Sequence, residues 1–196
     1  MYSNLLWIPV DLPKFPVSNR LLHLYRDEGF AFWSFARLTE KKDSPYDIAD
    51  WKSEVKDQFP EIIEWANSLP IASIRNVKIN LQNRSVKPHI DFTMPYKNPV
   101  LWSNNTVNEP CGYRVLLHGK TINTLYMINS AGEKVYCTQP EDTDTYLLRH
   151  TNGMHGVEDD EDRITMYLHL EINAEQHKKI LEKSVEKYSN YAIYDK

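Results

Sequence analysis

The spacing of apolar residues changes at Ile71, and this change constrains the fold more than any other feature of the chain. Before it, SNRLLHLYRDEGF opens with a Ser cap signal, and SPYDIADWKSEVKDQFPEIIEWANSLP carries apolar residues at three- and four-residue spacings broken at Pro60. Two or three short helices are predicted up to about Leu69. After Ile71 the period falls towards two, and SIRNVKINL, HIDF, YRVLLHG, NTLYMIN, KVYCT, DTYLLRH, HGVE and RITMYLHLEI read as short strands. Strands of that number and length predict a mainly β chain of the sandwich or jelly-roll type. The tail AEQHKKILEKSVEKYSNY returns to helical spacing, with Ile180, Leu181, Val185 and Tyr188 able to share one stripe. That stripe is expected to pack outside the sheet, with dimerisation as the alternative.

A chain of 196 residues suits one domain. Its expected parts are a helical N-terminal part (1–70), a jelly-roll core (71–173) and a C-terminal helix (174–196). The formal net charge of −4 gives no global basic field, which disfavours nucleic acid as a partner. Cys111 and Cys137 form no CxxC pair and no disulfide framework, which favours a reducing setting. The start MYSNLLWIPVDLPKFP has no basic n-region, and no stretch approaches the roughly 20 apolar residues of a membrane span, so a cytoplasmic protein without membrane contact is expected. Oligomeric state is left open.

KPHIDF sets His89 and Asp91 two positions apart, and in an extended chain such residues point to one face. They are half of a metal site or the polar edge of a surface strand. Among the seven histidines, His23 and His177 fall in helical segments, whereas His155 begins a strand after a Gly turn in NGMHGVEDDEDRIT. Two histidines and one carboxylate can occupy one face of an octahedral ion and leave three adjacent positions open, the facial triad of non-haem Fe(II) oxygenases. His89, Asp91 and His155 would be that triad. His150 is the alternative distal ligand, but it ends a strand where His155 begins one.

Arg163 and Thr165 follow His155 on the next strand. A 2-oxo acid chelating such an iron needs its far carboxylate held, which a planar guanidinium does, with a hydroxyl two residues on adding a further bond. On RITMYLHLEI, Arg163, Thr165, Tyr167, His169 and Glu171 face one way, while Ile164, Met166, Leu168, Leu170 and Ile172 face the other. An ion pair of Arg163 with the acidic run EDDED is the alternative reading. The long interruption TMPYKNPVLWSNNTVNEPCG, containing Tyr96 and Trp102, exceeds about 12–15 residues, which predicts a lid or a disordered segment, and its position directly after the His-x-Asp pair favours the lid.

The order HxD, long gap, His, Arg-x-Thr resembles the double-stranded β-helix 2-oxoglutarate/Fe(II)-dependent dioxygenases. More narrowly, NLQNRSVKPHIDF, YRVLLHG and HGVEDDEDRITMYLHLEI are similar to the aspartyl/asparaginyl β-hydroxylase group and related proline hydroxylases, over roughly residues 77–172. The resemblance implies a double-stranded β-helix (jelly roll), with N-terminal helices and a C-terminal helix packed outside. It implies Fe(II) held by His89, Asp91 and His155, and the distal carboxylate of 2-oxoglutarate held by Arg163 with Thr165. Arg114 matches the arginine that contacts the metal-side carboxylate in that group. Where the group often has a histidine two positions later this chain has Leu116, with His118 one pleat further on the same face. The implied activity is hydroxylation of an amino-acid residue in a peptide or protein, a free amino acid or another small molecule, coupled to decarboxylation of 2-oxoglutarate to succinate. The competing readings are a non-catalytic jelly-roll binding protein and a cupin-type metalloenzyme, although cupins usually show His-x-His with a nearby Glu.

Overall fold

The computed structural model describes residues 2–16, 34–40, 42–43, 47–82, 84–91, 112–119, 121–151, 153–158 and 163–195. In chain order the strands are β1 (Leu5–Pro9), β2 (Ser34–Arg37), β3 (Ile71–Gln82), β4 (Val86–His89), β5 (Gly112–His118), β6 (Leu125–Ile128), β7 (Lys134–Tyr136), β8 (Thr145–Leu148), β9 (His155–Val157), β10 (Arg163–Ile172) and β11 (Ile193–Tyr194). The helices are α1 (Ser53–Gln58), α2 (Pro60–Ala66) and α3 (Ala174–Tyr188).

The strands from β3 to β10 pair as a nested ribbon. β6 pairs with β7, β5 with β8, β4 with β9 and β3 with β10, all antiparallel. The ribbon is rolled so that β5 also meets β10 and β6 also meets β9. One sheet therefore runs β11-β1-β8-β5-β10-β3-β2 and the other β4-β9-β6-β7, a jelly-roll arrangement built from the eight strands legible in the sequence.

Alternation on the two longest strands sets what each face does. Ile164, Met166, Leu168, Leu170 and Ile172 of β10 join Val77 and Ile79 of β3 in a core shared with Val55, Ile62 and Trp65 of the short helices and Leu181 of α3. Burying each such side chain contributes about 1.5–3 kcal/mol. The other face of the same strands turns Arg163, Tyr167 and His169, with Lys78, Asn80 and Gln82, into a cleft. A second core includes Trp7, Leu125, Met127, Tyr146, Leu148 and Val157, and four of these, Leu125, Tyr146, Leu148 and Val157, also line the cleft.

Asn173 caps α3 by accepting from the Gln176 amide at 3.1 Å. Its expected stripe holds, since Leu181 and Tyr188 are buried and Ile180 and Val185 pack partly buried against the same core. Pro60 separates α1 from α2 and opens the latter, where its missing N–H is harmless.

The N-terminal part departs from the helical expectation. Leu5–Pro9 and Ser34–Arg37 are strands of the larger sheet, and a short strand, Ile193–Tyr194, follows α3 and pairs with β1. β1 is buried along its whole length, so LLWIP carries no period-two signal. The HIDF strand is shifted as well: it runs from Val86 to His89 and stops before Asp91. The helix predicted over SNRLLHLYRDEGF lies outside the described residues, as does the predicted lid with Tyr96 and Trp102, apart from its last residue Gly112. Among the described residues no helix is long and apolar enough to cross a membrane.

Candidate metal centre

The pairing of β4 with β9 puts His89 directly opposite His155, with their ring centroids 4.5 Å apart. Asp91, two residues past His89, is fixed by its own amide, which donates to the His150 carbonyl at 2.8 Å. Its Oδ1 then lies 3.3 Å from Nε2 of His89 and 3.8 Å from Nε2 of His155. Ligand atoms of His89, Asp91 and His155 all fall within 4.8 Å of one another.

Both rings are oriented for ligation. Nδ1 of His89 is 2.9 Å from the Lys87 carbonyl and Nδ1 of His155 is 3.1 Å from the Gly153 carbonyl. A carbonyl only accepts, so each Nδ1 carries the proton and each Nε2 keeps its lone pair towards the cleft. Burial pushes the His155 imidazole below its ordinary pKa, against the pull of Asp91. Burial alone would raise the Asp91 carboxyl, but the charges of His150, His155 and His89 when protonated, and of Arg114 throughout, outweigh it and hold it below the usual carboxylate range. A carboxylate and an uncharged imidazole are the forms a divalent cation requires.

The cleft has a volume of about 310 Å³ and is lined by β3, β5, β8 and β10 of the larger sheet and β4, β6 and β9 of the smaller. Arg163 is 2 % exposed, and its Nη2 donates to Oε1 of Gln82 at 2.7 Å. Its Nε and Nη1 have no partner among the described residues, and neither does Oγ1 of the buried Thr165. Arg114, equally buried, donates to the Tyr113 carbonyl at 3.0 Å, stacks 4.2 Å from the centroid of the Tyr167 ring and comes within 4.0 Å of Asp91. Tyr146 completes this wall, and burial raises its phenol to about 12.

Two histidines need separate placement. His150 lines the cleft, but its ligand atoms are not grouped with those of the triad. Its Nδ1 contacts the Leu148 carbonyl at 3.2 Å, and burial, reinforced by Arg114, lowers its pKa to about 3. His118, expected near the cosubstrate, lies instead at the exposed end of β5, outside the residues lining the cleft. The alternation expected over 114, 116 and 118 breaks at a register shift: Leu116 pairs with Thr165, but His118 pairs with Ile164, a residue of the core face.

Lys78, Asn80 and Gln82 of the cleft wall were not singled out in the sequence. Their signal was the alternation in NVKINLQ, whose apolar members mark the core and whose polar members mark the opposite face.

No protein-family model matches this chain, and no curated protein matches it significantly. Among solved structures it is similar to an oxidoreductase of the 2OG-Fe(II) oxygenase family from Burkholderia pseudomallei, with a TM-score of 0.43 and 11% identity over 79% of this chain and 77% of that one. It is also similar to a Pseudomonas putida prolyl-4-hydroxylase, with a TM-score of 0.42 and 10% identity over 84% of this chain and 93% of that one.

Proposed function

We propose that this chain is an Fe(II)- and 2-oxoglutarate-dependent dioxygenase, a single double-stranded β-helix domain working in the cytoplasm. Its reaction is hydroxylation of an amino-acid residue in a peptide or protein, or of a free amino acid, with 2-oxoglutarate converted to succinate. Within that class it is assigned to the aspartyl/asparaginyl β-hydroxylase kind on the motifs HIDF, YRVLLHG and HGVEDDEDRIT. The observation that carries the reading is the convergence of His89, Asp91 and His155 in a cleft beside a buried guanidinium with two unspent nitrogens.

The donors fit the metal. Two Nε2 lone pairs and one carboxylate make a facial set, and the carbonyls of Lys87 and Gly153 hold the rings in the ligating tautomer. Once bound, the iron and 2-oxoglutarate supply the oxidising power for attack on an unactivated C–H bond.

The chain's part is binding, orientation and exclusion. Arg163 offers Nε and Nη1 to the far carboxylate of 2-oxoglutarate while Gln82 fixes its Nη2, and Thr165 adds a hydroxyl. Arg114, held by Tyr167 and the Tyr113 carbonyl, serves the near carboxylate and steadies Asp91. Leu125, Leu148 and Val157 line the cleft with apolar surface that keeps water from the reacting groups.

The test is anaerobic addition of Fe(II) and 2-oxoglutarate to the folded protein. A weak visible charge-transfer band is expected, and admission of air should discharge it and yield succinate slowly even without substrate. Absence of both in iron-loaded protein would favour a jelly-roll binding protein.

A further inference from the structure

Arg163 is a buried cation whose partner is a neutral amide. Only 2 % of it is exposed, and the residue directly opposite it in the β10–β3 register is Gln82. Nη2 of Arg163 donates to Oε1 of Gln82 at 2.7 Å, and Nε2 of Gln82 donates to the Arg84 carbonyl at 3.4 Å. A guanidinium only donates and a carbonyl only accepts, so the two contacts together fix which end of the amide faces Arg163. The β5 side pins the stem of the arginine: Gly119 has a φ of +87°, and a Cβ there would sit 3.1 Å from the Arg163 Cα.

The rest of its surroundings supply no negative charge. Asp91 is the one carboxylate among the described residues lining the cleft, and it belongs to the metal group. Burial raises the Cys137 thiol and lifts the Tyr146 phenol to about 12, each against the pull of Arg163, so both are neutral at ordinary pH. A buried charge left without a counter-charge is unfavourable, and a carboxylate at position 82 would relieve it. Glutamate has the length and shape of glutamine. The amide therefore does what a carboxylate cannot: it holds the guanidinium in place and leaves its charge, with Nε and Nη1, for a ligand.

We infer that Gln82 is a positioning residue that keeps Arg163 an uncompensated cation, and that its neutrality makes the cosubstrate seat selective for an oxo acid with an anionic far end. The inference rests on the oxygenase reading of this cleft and deepens it. Selectivity for a dicarboxylate is set by the pair of residues 82 and 163, and not by the arginine alone. Exchanging one atom group of Gln82, amide for carboxylate, should discharge the seat without moving Arg163.

The test compares Gln82→Glu with the parent by anaerobic calorimetric titration of the Fe(II)-loaded proteins. The probes are 2-oxoglutarate and 2-oxopentanoate, which has the same chelating head but no far carboxylate. Gln82→Glu is expected to lose 2-oxoglutarate affinity by about tenfold to a hundredfold while binding iron and 2-oxopentanoate as the parent does. Without ligands it should melt at an equal or higher temperature, because the new carboxylate completes an ion pair with Arg163. A glutamine with a purely structural role would instead melt lower on substitution and weaken both oxo acids alike, and that result overturns the inference, as does unchanged 2-oxoglutarate affinity. Gln82→Met keeps the site neutral but removes the acceptor, so it should weaken 2-oxoglutarate by about threefold to tenfold and still prefer it to 2-oxopentanoate. If Gln82→Glu does not fold, unchanged 2-oxoglutarate affinity in Gln82→Met overturns the inference. If the parent gives the charge-transfer band and succinate while Gln82→Glu binds 2-oxoglutarate equally well, the inference fails and the oxygenase reading stands. If the parent gives neither, yet glutarate raises the melting temperature of the parent and not of Gln82→Glu, the neutral hold on Arg163 stands and the oxygenase reading fails.

Discussion

His89 and His155 are cross-strand partners on β4 and β9, far apart in sequence and 4.5 Å apart at their ring centroids. The pairing register of the smaller sheet therefore sets the spacing of the two nitrogens. A one-residue slip would turn one imidazole to the opposite face.

His89→Ala and His155→Ala are each expected to lose bound iron with the fold largely kept. Removing an outer partner of a metal ligand typically costs 10–100-fold in affinity, and removing the ligand itself should cost at least about 100-fold. His150→Ala should retain iron, since its ligand atoms stand outside the group. Iron stoichiometry of the purified variants decides the matter, and the reverse pattern would make His150 the distal ligand.

Arg163→Ala should weaken 2-oxoglutarate by roughly tenfold to a hundredfold, the worth of one or two charge-assisted hydrogen bonds. Iron affinity should barely change, because Arg163 stands outside the group of ligand atoms and donates instead to Gln82. Anaerobic titration of 2-oxoglutarate against the iron-loaded variant measures this. Equal affinity would leave Arg163 as a structural group only.

Much of this was legible because alternation is informative wherever a strand has one wet and one dry face. RITMYLHLEI separates into the core residues Ile164 to Ile172 and the cleft residues Arg163, Tyr167 and His169, as its period-two pattern says. LLWIP was not legible as a strand, because Leu5 and Ile8 enter one core and Leu6 and Trp7 the other, leaving no polar face to mark the period. The place of His118 was not legible for a different reason: strict alternation puts it on the face of Arg114, and the register shift between Leu116 and His118 that interrupts the alternation leaves no mark in the sequence. The alignment of Arg37, Lys78 and Arg114 was invisible for a third reason: they lie on separate strands, and only the registers bring them into line.

Gly112→Ala should destabilise the fold by about 1–3 kcal/mol, the usual cost of overfilling a packed site. A Cβ there would sit 2.5 Å from Cε1 of His150 and 2.9 Å from the Leu148 carbonyl oxygen. Backbone cannot yield on one side, and on the other the ring belongs to the residue whose carbonyl holds the Asp91 amide. The variant should therefore also bind iron more weakly, in contrast to His150→Ala. Urea unfolding curves with and without Fe(II) measure both effects, and an unchanged midpoint would mean that the β5 and β8 backbones separate easily.

Acid should loosen the protein before its carboxylates titrate, and His177 offers the cleanest test. It is fully buried on α3, its Nδ1 is 2.9 Å from the Tyr113 hydroxyl, and burial lowers its pKa from 6.5 to about 4. Because the folded value lies below the unfolded one, the unfolded chain binds a proton between those two pH values that the folded chain excludes. Stability is complete above about pH 6.5 and falls as the pH drops towards 4, by at most about 1.4 kcal/mol per unit for each such group, or about 2 kcal/mol by pH 5. His150, lowered to about 3, acts in the same direction, so the parent should lose stability steeply from pH 6.5 to 5. His177→Gln should be less stable than the parent at pH 7.5, through the disturbed Tyr113 contact, yet should lose less on going to pH 5. Metal-free protein unfolded in urea at both pH values measures the difference in slope. An equal slope in the variant would show that His177 takes up its proton without leaving the fold.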